Sequence, residues 1–242
     1  MDEPRTAIVT GAGKRVGAEI ALALVERGWT VLAHIRRDGD AVPSGAIAVS
    51  ADLSAKDCAS KIFAAADALP PVRLLVNNAA RFAWDGFGSF DGSEFDAHMH
   101  VNVRAPLLLI EEFARRHGGG DALVVNLLDS KLAAPNADFL SYTLSKQALL
   151  GVTELAARSL ASQGIRVNAI APALMLRSPG QSDENFDAMH TRNPLGRGVT
   201  AANVIAAIDY LIASLVVTGE VLTIDGGQRF APPQRDVQFL EP

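Results

Sequence analysis

Short runs rich in β-branched and aliphatic residues alternate along this chain with longer stretches patterned for helices, and that alternation restricts the possible folds more than any other feature. Thr6–Thr10, Thr30–Ile35, Ala46–Ser50, Leu74–Asn77, Ala122–Leu127, Ile165–Ile170 and Glu220–Ile224 read as strands. Between them, residues 16–27 carry Val16, Ile20, Ala23 and Leu24 at helical spacing, and Ala55–Leu69 carries Cys58, Ile62, Ala65 and Ala66 on one face. Ser93–His117, Ser141–Gln163 and Thr200–Ala213 also read as helices, and Gly118-Gly119-Gly120 is a stop signal for the first of these. The strands do not alternate apolar with polar residues. Strands buried on both faces and separated by helices form a parallel sheet covered on both sides.

The expected fold is therefore α/β: a doubly wound, mostly parallel seven-stranded Rossmann-type sheet with helices on both faces, binding ligands beyond the carboxyl ends of its strands. With 242 residues, 49% of them hydrophobic, the chain can bury one large core, and no repeat or long linker divides it. A single domain spanning 1–242 is expected. Residues 173–199 are irregular, rich in Pro, Gly and Ser, and longer than most connections, which suits a substrate-covering segment with a short helix near Glu184–His190. Asp183, Glu184 and Asp187 suit the N-terminal part of that helix. The net charge of −5 argues against nucleic acid as a partner. Cys58, the only cysteine, permits no intramolecular disulfide and no cysteine-based metal site, and its register marks it as a buried small hydrophobe. No apolar run approaches the roughly 18 residues of a membrane span. Met1-Asp2-Glu3-Pro4-Arg5 lacks the order of a signal peptide. A soluble cytoplasmic protein acting on a small molecule is expected.

The first strand runs into Thr10-Gly11-Ala12-Gly13-Lys14-Arg15-Val16-Gly17. Glycines there let the backbone approach a pyrophosphate, and the following helix offers free N–H groups at the positive end of its dipole. Arg15 adds a cation where phosphate oxygens would lie. NAD sites place an acid at the end of the second strand for the ribose hydroxyls. This chain has His34-Ile35-Arg36-Arg37 instead, and two guanidinium groups suit a 2′-phosphate. NADP (as NADPH) is thus expected in preference to NAD, although Asp38 and Asp40 follow directly. Asp52 has two readings: an acceptor for the adenine amino group, or a cap for the next helix.

Tyr142 and Lys146 stand four residues apart in a helical stretch, so phenol and ammonium share one face. The cation should draw the Tyr142 pKa down toward working pH and make it a proton donor and acceptor. His98 and His100 fall on different helix faces and do not form a metal pair.

Together, Thr10–Gly17, Asp52-Leu53, Asn77-Asn78-Ala79-Ala80, Asn102, Tyr142–Lys146, Val167–Pro172 and Asp225-Gly226-Gly227 resemble the short-chain dehydrogenase/reductase family over nearly the whole chain. The resemblance implies that Tyr142 is the general acid/base and that Lys146 holds the nicotinamide ribose. It implies that Asn102 kinks its helix and holds a relay water. Leu53, Asn78, Ala79, Ala80 and Pro172 would join Gly11, Lys14, Arg15, Val16, Gly17, His34, Arg36, Arg37 and Asp52 around the cofactor. It also implies a homotetramer or homodimer packed through helices 93–117 and 141–163. Arg235, in the C-terminal tail, would reach a neighbouring subunit's site.

Three departures from the family pattern are informative: Arg15 replaces a glycine, Asp129 stands where a serine is usual thirteen residues before Tyr142, and Pro172 is followed by Ala173. The first two, with the basic second-strand end, resemble the pteridine reductases and their dihydromonapterin- and dihydrofolate-reducing relatives. Phe82 matches an aromatic that stacks a pterin there, with Arg15 on the other side. A carboxylate at 129 accepts from pterin N–H groups but repels the oxyanion of a simple ketone. Alternatives are that Ser130 faces the site, that Trp84, Phe87 or Phe90 is the lid aromatic, that the substrate is a ketone, aldehyde or sugar-like carbonyl, or that the chain is a non-catalytic NADP sensor.

Overall fold

In a computed structural model, residues 3–178 and 180–241 are described. Met1 and Asp2 of the polar leader, Pro179 of the 173–199 segment and Pro242 lie outside the described residues. The strands are β1 (Thr6–Val9), β2 (Thr30–Ile35), β3 (Ile47–Ser50), β4 (Val72–Asn77), β5 (Ala122–Leu127), β6 (Ile165–Pro172) and β7 (Val221–Ile224). They form one sheet in the order β3-β2-β1-β4-β5-β6-β7, with every neighbouring pair parallel. The order reverses between β1 and β4. The loops leaving those strands diverge there, and a ligand crevice opens at their carboxyl ends.

The helices are α1 (Arg15–Glu26), α2 (Cys58–Ala64), α3 (Gly92–Met99), α4 (Ala105–Arg116), α5 (Leu140–Leu160), α6 (Asp183–His190) and α7 (Ala201–Ala213). On one face of the sheet, Val16, Ile20 and Leu24 of α1 meet Val204, Ile208 and Leu211 of α7. On the other, α2, α4 and α5 contribute Ile62, Phe63, Leu109, Phe113, Ala157 and Leu160. Each fully buried Leu, Ile, Val or Phe side chain among them stabilises the fold by about 1.5–3 kcal/mol relative to exposure. Cys58 is fully buried in the second cluster, and burial pushes its thiol pKa up.

Two helices differ from their sequence pattern. The stretch 55–69 is helical only over Cys58–Ala64, with turns on either side. The long helix expected over 93–117 is three pieces: α3, a π-helical turn at His100–Arg104, and α4. In the π turn the Ala105 amide reaches back five residues to His100 O, and Pro106, directly after it, has no N–H to return to the carbonyl of Asn102.

Candidate active site

The glycine turn after β1 is held from beneath. Thr10 Oγ1 accepts from the amides of Asn78 and Ala79, each at 3.0 Å, and Asn78 Nδ2 donates to Thr10 O at 2.8 Å. Gly11 adopts φ +67°, a conformation that favours glycine. A Cβ on Gly17 would stand 2.3 Å from Gly11 O and 2.4 Å from Asn78 Nδ2. Gly17→Ala must therefore push the turn and the start of α1 apart. We expect it to lower the thermal midpoint and weaken NADPH binding at least tenfold, measured by calorimetric titration; wild-type affinity would show that the turn yields freely.

Lys14 caps α1 without a side-chain hydrogen bond, and no acid lies in its first turn. The free N–H groups there suit an anion. Arg36 and Arg37 are exposed just past the end of β2, on the same edge. Leu53 is buried, and Ala79 packs beside Gly11. Ala80 is exposed and Pro172 closes β6. The surroundings of the turn thus fit a dinucleotide.

His34 does not fit as a direct contact. It is buried, its Nδ1 accepts from the Gly11 amide at 3.1 Å, and its Nε2 lies 3.0 Å from Ala51 O. Burial lowers its pKa, so the ring is neutral with its proton on Nε2. It props the glycine turn from behind. Asp52 caps the turn ahead of α2, with Oδ1 accepting from Ser54 N at 2.8 Å and Ser54 Oγ at 2.7 Å. These bonds, with Arg36 nearby, hold its carboxyl below the usual range.

At the end of β5 the chain delivers Asp129 to α5. Asp129 Oδ2 accepts from the Tyr142 hydroxyl at 3.0 Å, while Oδ1 accepts from the Lys131 amide at 2.9 Å. Asp129, not Ser130, meets the tyrosine; Ser130 is buried and opens a 3₁₀ turn over Ser130–Ala133. Lys146 is buried on the Tyr142 face of α5, with Nζ 5.7 Å from the phenol ring centroid and donating to Leu127 O at 2.6 Å. Burial lowers its pKa to about 8 against the opposing pull of Asp129.

The expected depression of the Tyr142 pKa is overturned. Burial raises it well above 10, and the charge and hydrogen bond of Asp129 add to the rise. The carboxylate is hydrogen-bonded to the hydroxyl, whereas the ammonium donates to Leu127 O, so the phenol stays protonated at neutral pH.

The mounting of α5 comes from distant residues. Asn102 Oδ1 accepts from Arg81 N at 2.7 Å, and its Nδ2 donates to Arg81 O at 3.0 Å and Ser145 Oγ at 2.9 Å. Ser145 Oγ donates to Tyr142 O at 2.6 Å. The helix begins after Phe139, at φ 56°, with no side-chain cap from that residue. Asp85 takes over, accepting from Ser141 N at 2.8 Å through Oδ1 and from the Ser141 hydroxyl through Oδ2. Asp85 was not legible as a site residue, because its partner lies 56 positions away and no local pattern marks it.

Phe82 stacks on Phe139 at 4.3 Å and meets Tyr142 edge-on at 4.7 Å. It lines a cleft of about 700 Å³, open mouth included, with Asp129, Tyr142, Leu174 and Ser178. Leu174 and Ser178 belong to the 173–199 segment. Trp84, Phe87 and Phe90 are exposed and absent from the lining. Arg15 is absent too. Its backbone is left-handed (φ 55°) and its guanidinium donates to Arg177 O at 3.2 Å, so it lines an adjoining depression with Arg177 and Ser178. Arg235 makes a bidentate pair with Asp138 of its own chain, at 2.8 and 2.9 Å.

A family model described as enoyl-(acyl carrier protein) reductase, one of the short-chain dehydrogenase/reductase models, matches residues 11–229. The chain belongs to the short-chain dehydrogenase/reductase family. This short-chain oxidoreductase is 28% identical to dihydromonapterin reductase of Citrobacter koseri, over 94% of this chain and 98% of that one. It is 33% identical to L-xylulose reductase of Mesocricetus auratus, over 92% and 96%. Its fold is similar to the crystal structure of FolM alternative dihydrofolate reductase 1 from Brucella suis in complex with NADP, with TM-score 0.87, 32% identity, and 97% and 98% of the two chains covered. Among the described residues no group of His, Cys, Asp and Glu is arranged to hold a metal ion, and no helix is long and apolar enough to cross a membrane. His98 is buried, with Nδ1 at Glu94 O and Nε2 at Ala83 N.

Proposed function

We propose that this enzyme is an NADPH-dependent reductase of a C=N or C=O bond in a pteridine. The observation that carries the reading is the Tyr142 hydroxyl held on the Asp129 carboxylate beside the ring of Phe82. A protonated phenol, a charged acceptor and a flat apolar face suit a planar heterocycle with N–H groups. The dihydromonapterin reductase and NADP-bound dihydrofolate reductase relatives support the same chemistry.

When bound, NADPH supplies the hydride. Tyr142 donates the proton, which its raised pKa keeps in place until the substrate demands it. Asp129 orients the substrate and shares the relay. Lys146 binds the nicotinamide ribose and offsets the charge left on the phenolate. The Asn102 side chain is committed to Arg81 and Ser145, so its main-chain carbonyl, to which Pro106 has no N–H to donate, is the group that accepts from a relay water. Gly11, Lys14, Val16, Gly17, Asn78, Ala79, Ala80, Leu53 and Pro172 surround the dinucleotide, Arg15 lies beside its phosphates, and Arg36 and Arg37 take the 2′-phosphate. Residues 173–199 cover the substrate on a single domain, 1–242.

The test is NADPH oxidation with dihydromonapterin, dihydrobiopterin and dihydrofolate against a panel of ketones, aldehydes and L-xylulose. Turnover of the carbonyls alone would establish the second reading, a simple carbonyl or sugar reductase, which the L-xylulose reductase relative favours. In the same assay, Arg36→Ala with Arg37→Ala should raise KM for NADPH about tenfold or more and leave NADH nearly unchanged. An equal loss with both cofactors would remove the 2′-phosphate role.

Leu107 of α4 and Leu144 and Leu155 of α5 are exposed apolar side chains on the helices the family resemblance places between subunits. They support a homodimer or homotetramer. The family chemistry and its soluble cofactor support a cytoplasmic setting.

A further inference from the structure

The C-terminal tail crosses the cleft and is fastened to its own chain at three places. Arg235 clamps Asp138, and the Asp236 amide donates to Asp138 Oδ2 at 2.8 Å. Phe239 stacks on Phe139 at 6.1 Å, so the tail extends the Phe82–Phe139 stack. Leu240 O accepts from Asn185 Nδ2 on α6. Pro232 and Pro233, ahead of the first fastening, and Asp236 and Val237 join the lining of the cleft that holds Tyr142.

Asp236 is an unexpected group in such a place. Its side chain is only 16% exposed, with Oδ2 3.6 Å from Lys131 Nζ and Oδ1 accepting from Gln238 N at 3.2 Å. Lys131 Nζ is also held by Asp138 O. The charges of Asp129 and Asp236 both act on Lys131, and the charge of Asp236 reaches Tyr142. Arg229, the other cation of the lining, is spoken for by Asp225 at 2.7 Å. One lysine therefore faces two cleft carboxylates. Each retains acceptor capacity, because a carboxylate offers about four lone-pair sites. Such a wall suits a ligand presenting N–H donors and opposes one presenting a carboxylate or phosphate at that end.

We propose that the strap supplies Asp236 as a second substrate-recognising carboxylate, so that the cleft reads the N–H groups of a planar heterocycle at two points, Asp129 beside Tyr142 and Asp236 on the strap. This rests on the pteridine reading above. The test is steady-state kinetics of the full-length enzyme with dihydromonapterin for Asp236→Asn, Asp236→Ser and Arg235→Gln. Asn and Ser both still cap the turn at Val237, so the strap keeps its start. The Asp236 variants should raise KM for the pteridine about tenfold or more, with kcat within about threefold of wild type and KM for NADPH unchanged. Arg235→Gln, which loosens the strap but keeps the carboxylate, should raise the pteridine KM less. Unchanged pteridine KM in both Asp236 variants would overturn the inference alone. So would a parallel loss of NADPH affinity and thermal stability, which would make Asp236 only a fastener. Failure of wild type to reduce any pteridine would overturn the functional reading itself, and the inference with it.

Discussion

Tyr142→Phe is expected to lower kcat for NADPH-driven reduction by about 10²–10⁴-fold, the usual contribution of a positioned proton donor, with NADPH affinity and thermal midpoint close to wild type. The variant loses one hydroxyl and its bond to Asp129 but keeps the ring that packs edge-on against Phe82. Stopped-flow and steady-state assays should show the loss in kcat rather than KM, because the proton moves only in the transition state. A loss under threefold would mean that another group supplies the proton. The pH profile carries an independent sign. Tyr142 is held protonated well past neutrality, so its ionisation does not limit the rate there. Lys146 loses its proton near pH 8, and turnover should fall as pH rises through that value. Lys146→Met should remove that step while slowing the reaction at every pH. For stability the sign is opposite. The folded pKa lies below the unfolded value of 10.5, so the unfolded chain holds the proton more tightly, and the cost of the buried ammonium is full below about pH 8. That cost is relieved as pH rises from about 8 toward 10.5.

Asp129→Ser should divide the two substrate readings. With the carboxylate gone, a pteridine loses a charged acceptor, and kcat/KM for it should fall about 10- to 100-fold. A simple ketone or aldehyde should gain, because a hydroxyl donates to the developing oxyanion that a carboxylate repels. The ratio of the two specificity constants is the measurement, and an unchanged ratio would strip Asp129 of its role in selection. The Tyr142 pKa should fall in the same variant, since Asp129 raises it by charge and by hydrogen bond, while burial still keeps it high. The chain has two tyrosines, and Tyr210 is exposed, so tyrosinate absorbance can follow Tyr142 against an internal reference.

Much of this was legible in the chain. Strands buried on both faces cannot form an open antiparallel sheet, so the alternation implied the parallel layers directly. The glycine turn and the pair at 142 and 146 are local patterns, and local geometry places them; the acid at 129 stood out only against the family resemblance. His34 shows where such reading stops. It stands in line with Arg36 and Arg37, but Gly11 N and Ala51 O hold it inside. The long helix expected over 93–117 is divided at His100–Arg104, where the Ala105 amide reaches back to His100 O. For Tyr142 the sequence displayed a cation at i+4, whereas the fold hydrogen-bonds the hydroxyl to a carboxylate from the loop after β5.

The sequence by itself determined the layered α/β architecture and the placing of Tyr142 and Lys146 on one helix face, because periodicity and i, i+4 spacing are properties of neighbours in the chain, and its motifs carried the family resemblance. Only the tertiary structure decided which way the Tyr142 pKa moves, what caps α5, and whose carboxylate closes the cleft. Those outcomes depend on burial and on pairs such as Asp129 with Tyr142, Asp85 with Ser141 and Asp138 with Arg235. Their strength is set by distance through a low-dielectric interior, and separation along the chain does not report that distance.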